Sequence, residues 1–218
     1  PYAADAQMKI GESYQRARNL KEALRAYYRV VKNYPDADEA PRALMNVAEC
    51  YLLFKDPPHA VKTYQQIGDS YPGSEHAARA QVALGTHYTD FGEVEKARAA
   101  FSRVISDFSL YPRQVIEAYI GLGDMDQSLG DMQRALNSYK EAYLVPYSGK
   151  KILEDLVRKI SLTFQMLDGN DVRAKQFMAY QLYGPAGKDG FQGTIDDLQD
   201  PLLGDNPDSI KLLRLTIA

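Results

Sequence analysis

The residues best able to do chemistry are Cys50 and the three histidines, His59, His76 and His87. A cysteine becomes a nucleophile when a histidine lies within hydrogen-bonding distance of its thiol. Cys50 and His87 stand 37 residues apart, at equivalent places of a repeating pattern. Such places on adjacent helical repeats are separated by one helix-packing distance, on the order of 10 Å. We therefore expect no Cys–His couple and predict that Cys50 is a partly buried packing residue.

Two oxygen-rich segments could bind a cation. Asp168-Gly169-Asn170-Asp171 brings several oxygen ligands together, and a second acidic run extends from Asp196 to Asp205. The first segment lacks the ligand order of a calcium loop and is better interpreted as a junction where Asn170 or Asp171 caps a helix. The second is typical of a solvated acidic tail. Since no phosphate-binding glycine loop or catalytic motif is present either, we predict no metal, no cofactor and no enzymatic activity.

Composition narrows the class of protein further. The 218 residues are 45% hydrophobic and 25% charged, as in folded chains, and the net charge is -3. Nucleic-acid binders usually carry a basic excess because phosphate neutralisation supplies most of their affinity, so a nucleic-acid partner is not expected. No run approaches 18 apolar residues, and we predict no membrane span.

A repeat of 37 residues organises most of the chain. Asn33-Tyr34-Pro35-Asp36 and Ser70-Tyr71-Pro72-Gly73 are separated by this interval. Aligning on them brings small, aromatic and alanine positions into register: Gly11, Ala48 and Gly85; Tyr14, Tyr51 and Tyr88; Ala23, Ala60 and Ala97; Tyr27, Tyr64 and Phe101. A fourth copy contains Leu122-Gly123, Ala135 and Tyr139, and a weaker fifth copy contains Gly169, Ala174 and Met178. The spacing predicts two antiparallel helices per copy, which approach closely at Gly11 while Tyr14 and Tyr27 fill the space beside it.

This pattern resembles the tetratricopeptide repeat, a helix–turn–helix unit of about 34 residues. The resemblance covers residues 4 to 183, with copies beginning at Ala4, Pro41 and Ala78. It implies an all-α solenoid of about five repeats in a right-handed superhelix over residues 1–183, followed by a non-repeat tail over 184–218. The predicted helices are 3–17, 20–33, 39–54, 57–71, 75–91, 93–108, 112–129, 131–144, 150–168 and 170–182.

The Tyr-Pro turns, together with the 37-residue spacing, are similar to those of tetratricopeptide proteins in bacterial envelope assembly. These include the outer-membrane-assembly lipoproteins and the Tol–Pal-associated periplasmic proteins. The resemblance implies a periplasmic or extracellular location in a bacterium. The sequence opens with Pro1 instead of Met, which agrees with removal of an export signal.

In the resembled family the first helix of each repeat lines a concave surface that binds a partner peptide or helix. Carried over residue by residue, the predicted partner-binding positions are Met8, Glu12, Arg42, Met45, Glu49, Arg79, Thr86, Glu117 and Asp124. Their mixture of apolar groups and both charge signs favours a protein partner. The carboxylate clamp of chaperone-tail receptors is absent, because Glu12 would repel a carboxylate and only Asn46 agrees with the clamp. We predict a protein–protein interaction scaffold.

The tail from Gly184 loses the helical period but keeps many apolar residues. We predict that it docks through Phe191, Leu202, Leu203, Leu213, Leu215 and Ile217. The tail could cap its own fifth repeat, where it would shield Leu156, Met166 and Leu167. It could instead dock on another copy, a head-to-tail contact that builds a homopolymer or filament. This second arrangement is the alternative function, that of a self-assembling structural protein.

Overall fold

A computed structural model describes residues 2–147 and 149–168 of the chain. These residues form nine helices and no strand: α1 (Tyr2–Arg16), α2 (Leu20–Asn33), α3 (Glu39–Leu53), α4 (Pro57–Ser70), α5 (Glu75–Asp90), α6 (Val94–Asp107), α7 (Pro112–Ser128), α8 (Met132–Leu144) and α9 (Lys150–Asp168). The all-α repeat fold is confirmed, and each end of these helices lies within one residue of its predicted place. The tenth predicted helix, the domain boundary at residue 183 and the tail lie outside the described residues.

The chain divides into two compact units, Pro1–Gly121 and Leu122–Ala218. In the first unit every helix from α1 to α5 packs on the next helix in the chain. The first helices of adjacent repeats also meet, since α1 contacts α3 and α3 contacts α5. In the second unit α8 packs on α9. The first helices of the first unit thus form one continuous row.

Glycines let the two helices of a repeat approach closely. A Cβ atom added to Gly11 would lie 2.4 Å from Cε1 of Tyr27, and one added to Gly85 would lie 2.5 Å from Cε1 of Phe101. Tyr27 and Phe101 are almost fully buried, so the predicted pairing of a small residue with a large ring is confirmed. Tyr14 is 39% exposed, however. The prediction that its ring fills the same space is wrong, because the ring of Tyr27 already occupies the space over Gly11.

The turn inside each repeat has a fixed backbone conformation. Its central residue is left-handed in four repeats, with φ of 60° at Arg18, 59° at Lys55, 71° at Gly92 and 83° at Gly130. In three of these repeats the following helix begins at a capping side chain, as where the Asp56 carboxylate accepts a hydrogen bond from the amide of His59. Pro57 directly after this cap confirms the predicted start of α4.

Tyrosines of the Tyr-Pro turns connect one repeat to the next. The hydroxyl of Tyr71 donates to the carbonyl oxygen of Pro35 at 3.0 Å, and that of Tyr111 donates to the carbonyl oxygen of Gly73 at 2.8 Å. Each bond joins the turn after one repeat to the turn after the repeat before it.

Candidate partner-binding surface

Five predicted partner-binding residues lie along the row formed by α1, α3 and α5. We call them the A-helix face: Glu12, Arg42, Glu49, Arg79 and Thr86. Glu12 pairs with Arg42 at 3.8 Å across the contact between α1 and α3. Gln15 crosses the same contact, and its amide donates to the Glu49 carboxylate at 3.4 Å. The polar side chains of the first two repeats are therefore connected, and Arg79 and Thr86 extend the row along α5.

Met8 and Met45 were predicted to belong to this surface, and the structure corrects both predictions. Met8 is 0% exposed and packs with Ala4 and Tyr27, while Met45 is 6% exposed and packs with Tyr64. Their positions on the first helix direct both side chains between the two helices of the repeat. An unbranched thioether side chain fills such irregular gaps in a core well. Neither methionine is available to a partner.

The A-helix face carries both charge signs at short intervals. His76, at the start of α5, lies in the electric field of Arg79 and Arg42. Burial and these two guanidinium groups lower the pKa of His76, and Glu75 and Asp38 offset the effect only in part. His76 is therefore neutral at pH 7 and presents both a donor and an acceptor beside two fixed cations.

Buried tyrosines position the polar side chains of this surface from below. The hydroxyl of Tyr27 donates to Oε1 of Gln15 at 2.6 Å, which leaves the Gln15 amide to reach Glu49. Burial raises the pKa of Tyr27 to about 12, so the hydroxyl remains a donor throughout the physiological range. The repeat pattern predicted Tyr27 only as a packing residue. The signal for its second role was a glutamine twelve positions earlier, a pairing that recurs as Gln127 and Tyr139.

The second unit repeats this arrangement around Asp124. The hydroxyl of Tyr139 donates to Oδ1 of Asp124 at 2.6 Å and to Oε1 of Gln127 at 3.1 Å. Burial, followed by the hydrogen bond to Asp124, raises the pKa of Tyr139 above that of an ordinary phenol. The Lys159 ammonium on α9 also binds Asp124 and lies 5.5 Å from the centre of the Tyr139 ring. Asp124 is thus held by two donors.

Glu117, the remaining predicted residue, lies on α7 in the first unit. Its carboxylate accepts a hydrogen bond from Nε of Arg113 at 3.0 Å, one helical turn away. The side chain of Glu117 is 31% exposed. A partner could reach it only by competing with Arg113.

Cys50, His59 and His87, the residues that could do chemistry, make core or local contacts. Cys50 is 0% exposed in the core of the first two repeats, which is a deeper position than predicted. Burial raises the pKa of its thiol to about 11, so the thiol is protonated and unreactive at neutral pH. His59 pairs with Asp56 at 2.7 Å, and His87 packs against Phe91 at 4.5 Å. His59 and His87 thus each contact a residue that caps their own helix.

The described residues contain neither a metal-binding cluster nor a membrane-spanning helix. Within 2–147 and 149–168, no three His, Cys, Asp or Glu side chains lie close enough to hold a metal ion. The Asp168–Asp171 segment and the Asp196–Asp205 run extend beyond these residues. No helix in the described part of the chain has the length and apolarity needed to cross a membrane.

Comparison with known proteins agrees with this architecture. Residues 8–75 match the model of the tetratricopeptide repeat family. The solved structure of MamA is 20% identical, with 87% of this chain and 97% of that chain covered and a TM-score of 0.58. PilF of Pseudomonas aeruginosa is 17% identical over 84% of this chain and 77% of that chain, with a TM-score of 0.63. PilW, a widely conserved type IV pilus biogenesis factor, is 16% identical over 84% and 79%, with a TM-score of 0.59.

No curated protein matches the chain at a significant level. The family model covers the first two repeats, and the solved structures share the fold over most of the chain. Residues 8–75 are thus similar to tetratricopeptide repeats, as the repeat pattern predicted, and the rest of the described chain continues the same helix–turn–helix architecture.

Proposed function

We propose that this protein is a non-enzymatic scaffold whose A-helix face binds an extended peptide or a helix of a partner protein. The observation that carries the proposal is the row of polar side chains on α1, α3 and α5, connected between α1 and α3, above methionines that are buried in the core. Exposed ion pairs such as Glu12–Arg42 contribute about 0–1 kcal/mol to stability. A partner's charges can therefore replace them at little cost to the fold.

The charge pattern suggests what the partner segment contains. Arg42 and Arg79 would bind carboxylates, and the neutral imidazole of His76 would add one hydrogen bond between them. Glu12 and Glu49 would bind basic side chains. A segment with both charge signs matches this row, whereas a polyanion would be repelled by the two glutamates.

We also propose that the protein acts in a bacterial envelope, in its periplasmic or extracellular space. The support is the resemblance of its Tyr-Pro turns to envelope-assembly proteins. The fold is also that of a known pilus biogenesis factor, PilW. Fractionation of cells that express the complete native gene tests this location. Recovery of the protein with the cytoplasmic fraction would contradict it.

The binding surface can be tested by photocrosslinking in cells. We expect p-benzoylphenylalanine at position 86, on the A-helix face, to give a discrete protein adduct. The same group in place of Lys62, exposed on α4, serves as the control and should give none. Adducts of equal yield at both positions would contradict the proposed surface.

A triple substitution then identifies the contacts. We expect Arg42→Ala/Glu49→Ala/Arg79→Ala to lower the adduct yield several-fold and to leave stability within about 0.5 kcal/mol per site. The matched control is Lys62→Ala/Glu95→Ala/Arg103→Ala, which also removes two cations and one anion from exposed helix positions. An unchanged adduct yield in the A-helix variant would exclude these side chains from binding.

A further inference from the structure

Two short blocks of opposite sign dominate the charge of this chain. Residues 16–33 contain six Lys or Arg and a single acid, Glu22, which gives a net charge of +5. Residues 189–210 contain six Asp and no Lys, Arg or Glu, which gives -6. Since the whole chain carries -3, all other residues together contribute only -2. The two blocks are therefore complementary, and each is unlike the remainder of the chain.

The basic block forms one face of α2. Four of its cations recur at helical spacing and line a shallow trough of about 410 Å³, whose floor is apolar. We call this the α2 trough; it is lined by Lys21, Leu24, Arg25, Tyr28, Arg29 and Lys32. The buried residues of α2, such as Ala23 and Tyr27, face the repeat core instead.

Most of the cations of the α2 trough are uncompensated. Arg25 pairs with Glu22 at 2.5 Å. Lys21, Arg29 and Lys32 form no ion pair within 4.0 Å among the residues that the structure describes. Tyr28 is 39% exposed, although its hydroxyl is hydrogen-bonded to that of Tyr51 at 3.2 Å. Three cations thus flank an accessible apolar strip, an arrangement that fits a ligand with carboxylates beside apolar groups.

The acidic block has this chemistry. Ile195-Asp196-Asp197-Leu198 places two carboxylates between two apolar side chains, and Asp200, Leu202, Leu203 and Asp205 continue the mixture. We propose that residues 195–205 of one copy of the chain bind the α2 trough of a second copy. The leucines and isoleucine would cover Leu24 and Tyr28, and the aspartates would pair with the cations around them.

A contact between two different surfaces of one protein is heterologous, so it joins copies head to tail. A nucleic acid or an anionic bilayer would meet the same four cations. Both would also be repelled by the acidic block, because every copy of the chain carries this block together with the trough. The complementary charges of the chain itself therefore favour its acidic block as the occupant of the trough.

Sedimentation velocity on the full 218-residue chain tests the proposal. We expect the average mass to rise with concentration at low salt and to fall towards that of one chain at high salt, because salt screens exposed charges. We expect Arg25→Glu/Arg29→Glu and Asp196→Lys/Asp197→Lys each to raise the dissociation constant by roughly tenfold or more, since repulsion replaces attraction.

Mixing the two variants separates association between copies from any effect on folding. The Asp196→Lys/Asp197→Lys variant keeps the native trough, and the Arg25→Glu/Arg29→Glu variant keeps the native segment. The mixture should therefore associate although each variant alone does not. Lys150→Glu/Lys151→Glu, with the same change in net charge at exposed positions of α9, should associate like the unmodified chain.

A synthetic peptide of residues 194–206 provides a second measurement. An excess of this peptide should dissociate the unmodified chain, since it occupies the trough. A single-chain mass at every concentration and salt, or association that persists in both charge-reversed variants, would overturn the proposal. Neither result would affect the proposed partner-binding function, because the variants leave the A-helix face intact.

Discussion

At the scale of single residues, the repeat is defined by contacts between a small residue and a large ring. Gly11 meets Tyr27, Gly85 meets Phe101 and, in the second unit, Gly123 meets Tyr139. The tyrosines have a second role that phenylalanine cannot take. They donate upward to glutamine or aspartate side chains of the first helix, so a core residue also orders the surface above it.

We predict that Gly11→Ala lowers the free energy of unfolding by about 1–3 kcal/mol, because the new methyl group would overlap the ring of Tyr27 at 2.4 Å. Gly68→Ala is the matched control, since a Cβ there would meet nothing within 4 Å. That control should gain about 0.5–1 kcal/mol from the loss of glycine's backbone entropy. Urea denaturation of both variants measures the difference. Equal effects at the two sites would contradict the close approach of α1 and α2.

We predict that Cys50 resists alkylation in the folded protein. A thiol pKa raised from 9.0 to about 11 lowers the thiolate fraction at neutral pH by roughly a hundredfold, and burial excludes the reagent as well. Iodoacetamide labelling followed by mass spectrometry should be slow until urea is added. Rapid labelling of the folded chain would show an accessible, activated cysteine and would contradict the prediction of no enzymatic activity.

The raised pKa of the Cys50 thiol also predicts how the stability of the fold depends on pH. Because folding favours the protonated thiol, its contribution to stability is complete below pH 9 and is lost as the pH rises through about 11. The Cys50→Ala variant should therefore lose less stability over this interval than the unmodified chain.

At the scale of helices and turns, the Tyr-Pro turn is the joint between repeats. Tyr71 and Tyr111 each donate a hydrogen bond to the preceding inter-repeat turn. Tyr34 is the counterpart of Tyr71 in the first repeat, 37 residues earlier, but its hydroxyl makes no hydrogen bond among the described residues. Tyr71 and Tyr34 are thus equivalent tyrosines with and without the bond, whereas the third repeat has Phe108 at this place and Tyr111 three residues later.

We predict that Tyr71→Phe and Tyr111→Phe each lower stability by about 0.5–1.5 kcal/mol, the net contribution of a typical hydrogen bond. Tyr34→Phe should change stability by less than about 0.5 kcal/mol, because it removes an exposed hydroxyl only. Thermal and urea denaturation of the three variants compare them directly. A loss in Tyr34→Phe as large as in the other two would contradict a specific role of the joint.

At the scale of the whole molecule, the chain presents two chemically different surfaces. The A-helix face, on first helices, carries alternating charges that are partly paired with one another. The α2 trough, on a second helix, carries a concentration of one sign. The first surface matches a partner of mixed charge and the second an acidic segment. The proposed scaffold function and the proposed self-association can therefore operate without competing for residues.

The sequence alone determined the elements of this protein. Helix ends were predicted within one residue because they depend on local features, such as the cap at Asp56 and the prolines at 35 and 72. The pairing of Gly11 with Tyr27 was also predicted from the sequence, because the same spacing recurs in neighbouring copies. A local pattern that recurs in successive repeats predicts a tertiary contact, because each repeat must pack like the next.

Only the tertiary structure decided which side chains reach solvent. The repeat pattern placed Met8 and Met45 on the same predicted binding surface as Glu12 and Glu49, yet both methionines are core residues. The bond from Tyr71 to Pro35 joins atoms of residues 36 positions apart. These outcomes depend on the rotation of each helix about its axis and on its crossing with two neighbours. A rotation of a few tens of degrees moves a side chain from surface to core without altering the helical period, so the sequence pattern could not separate the two.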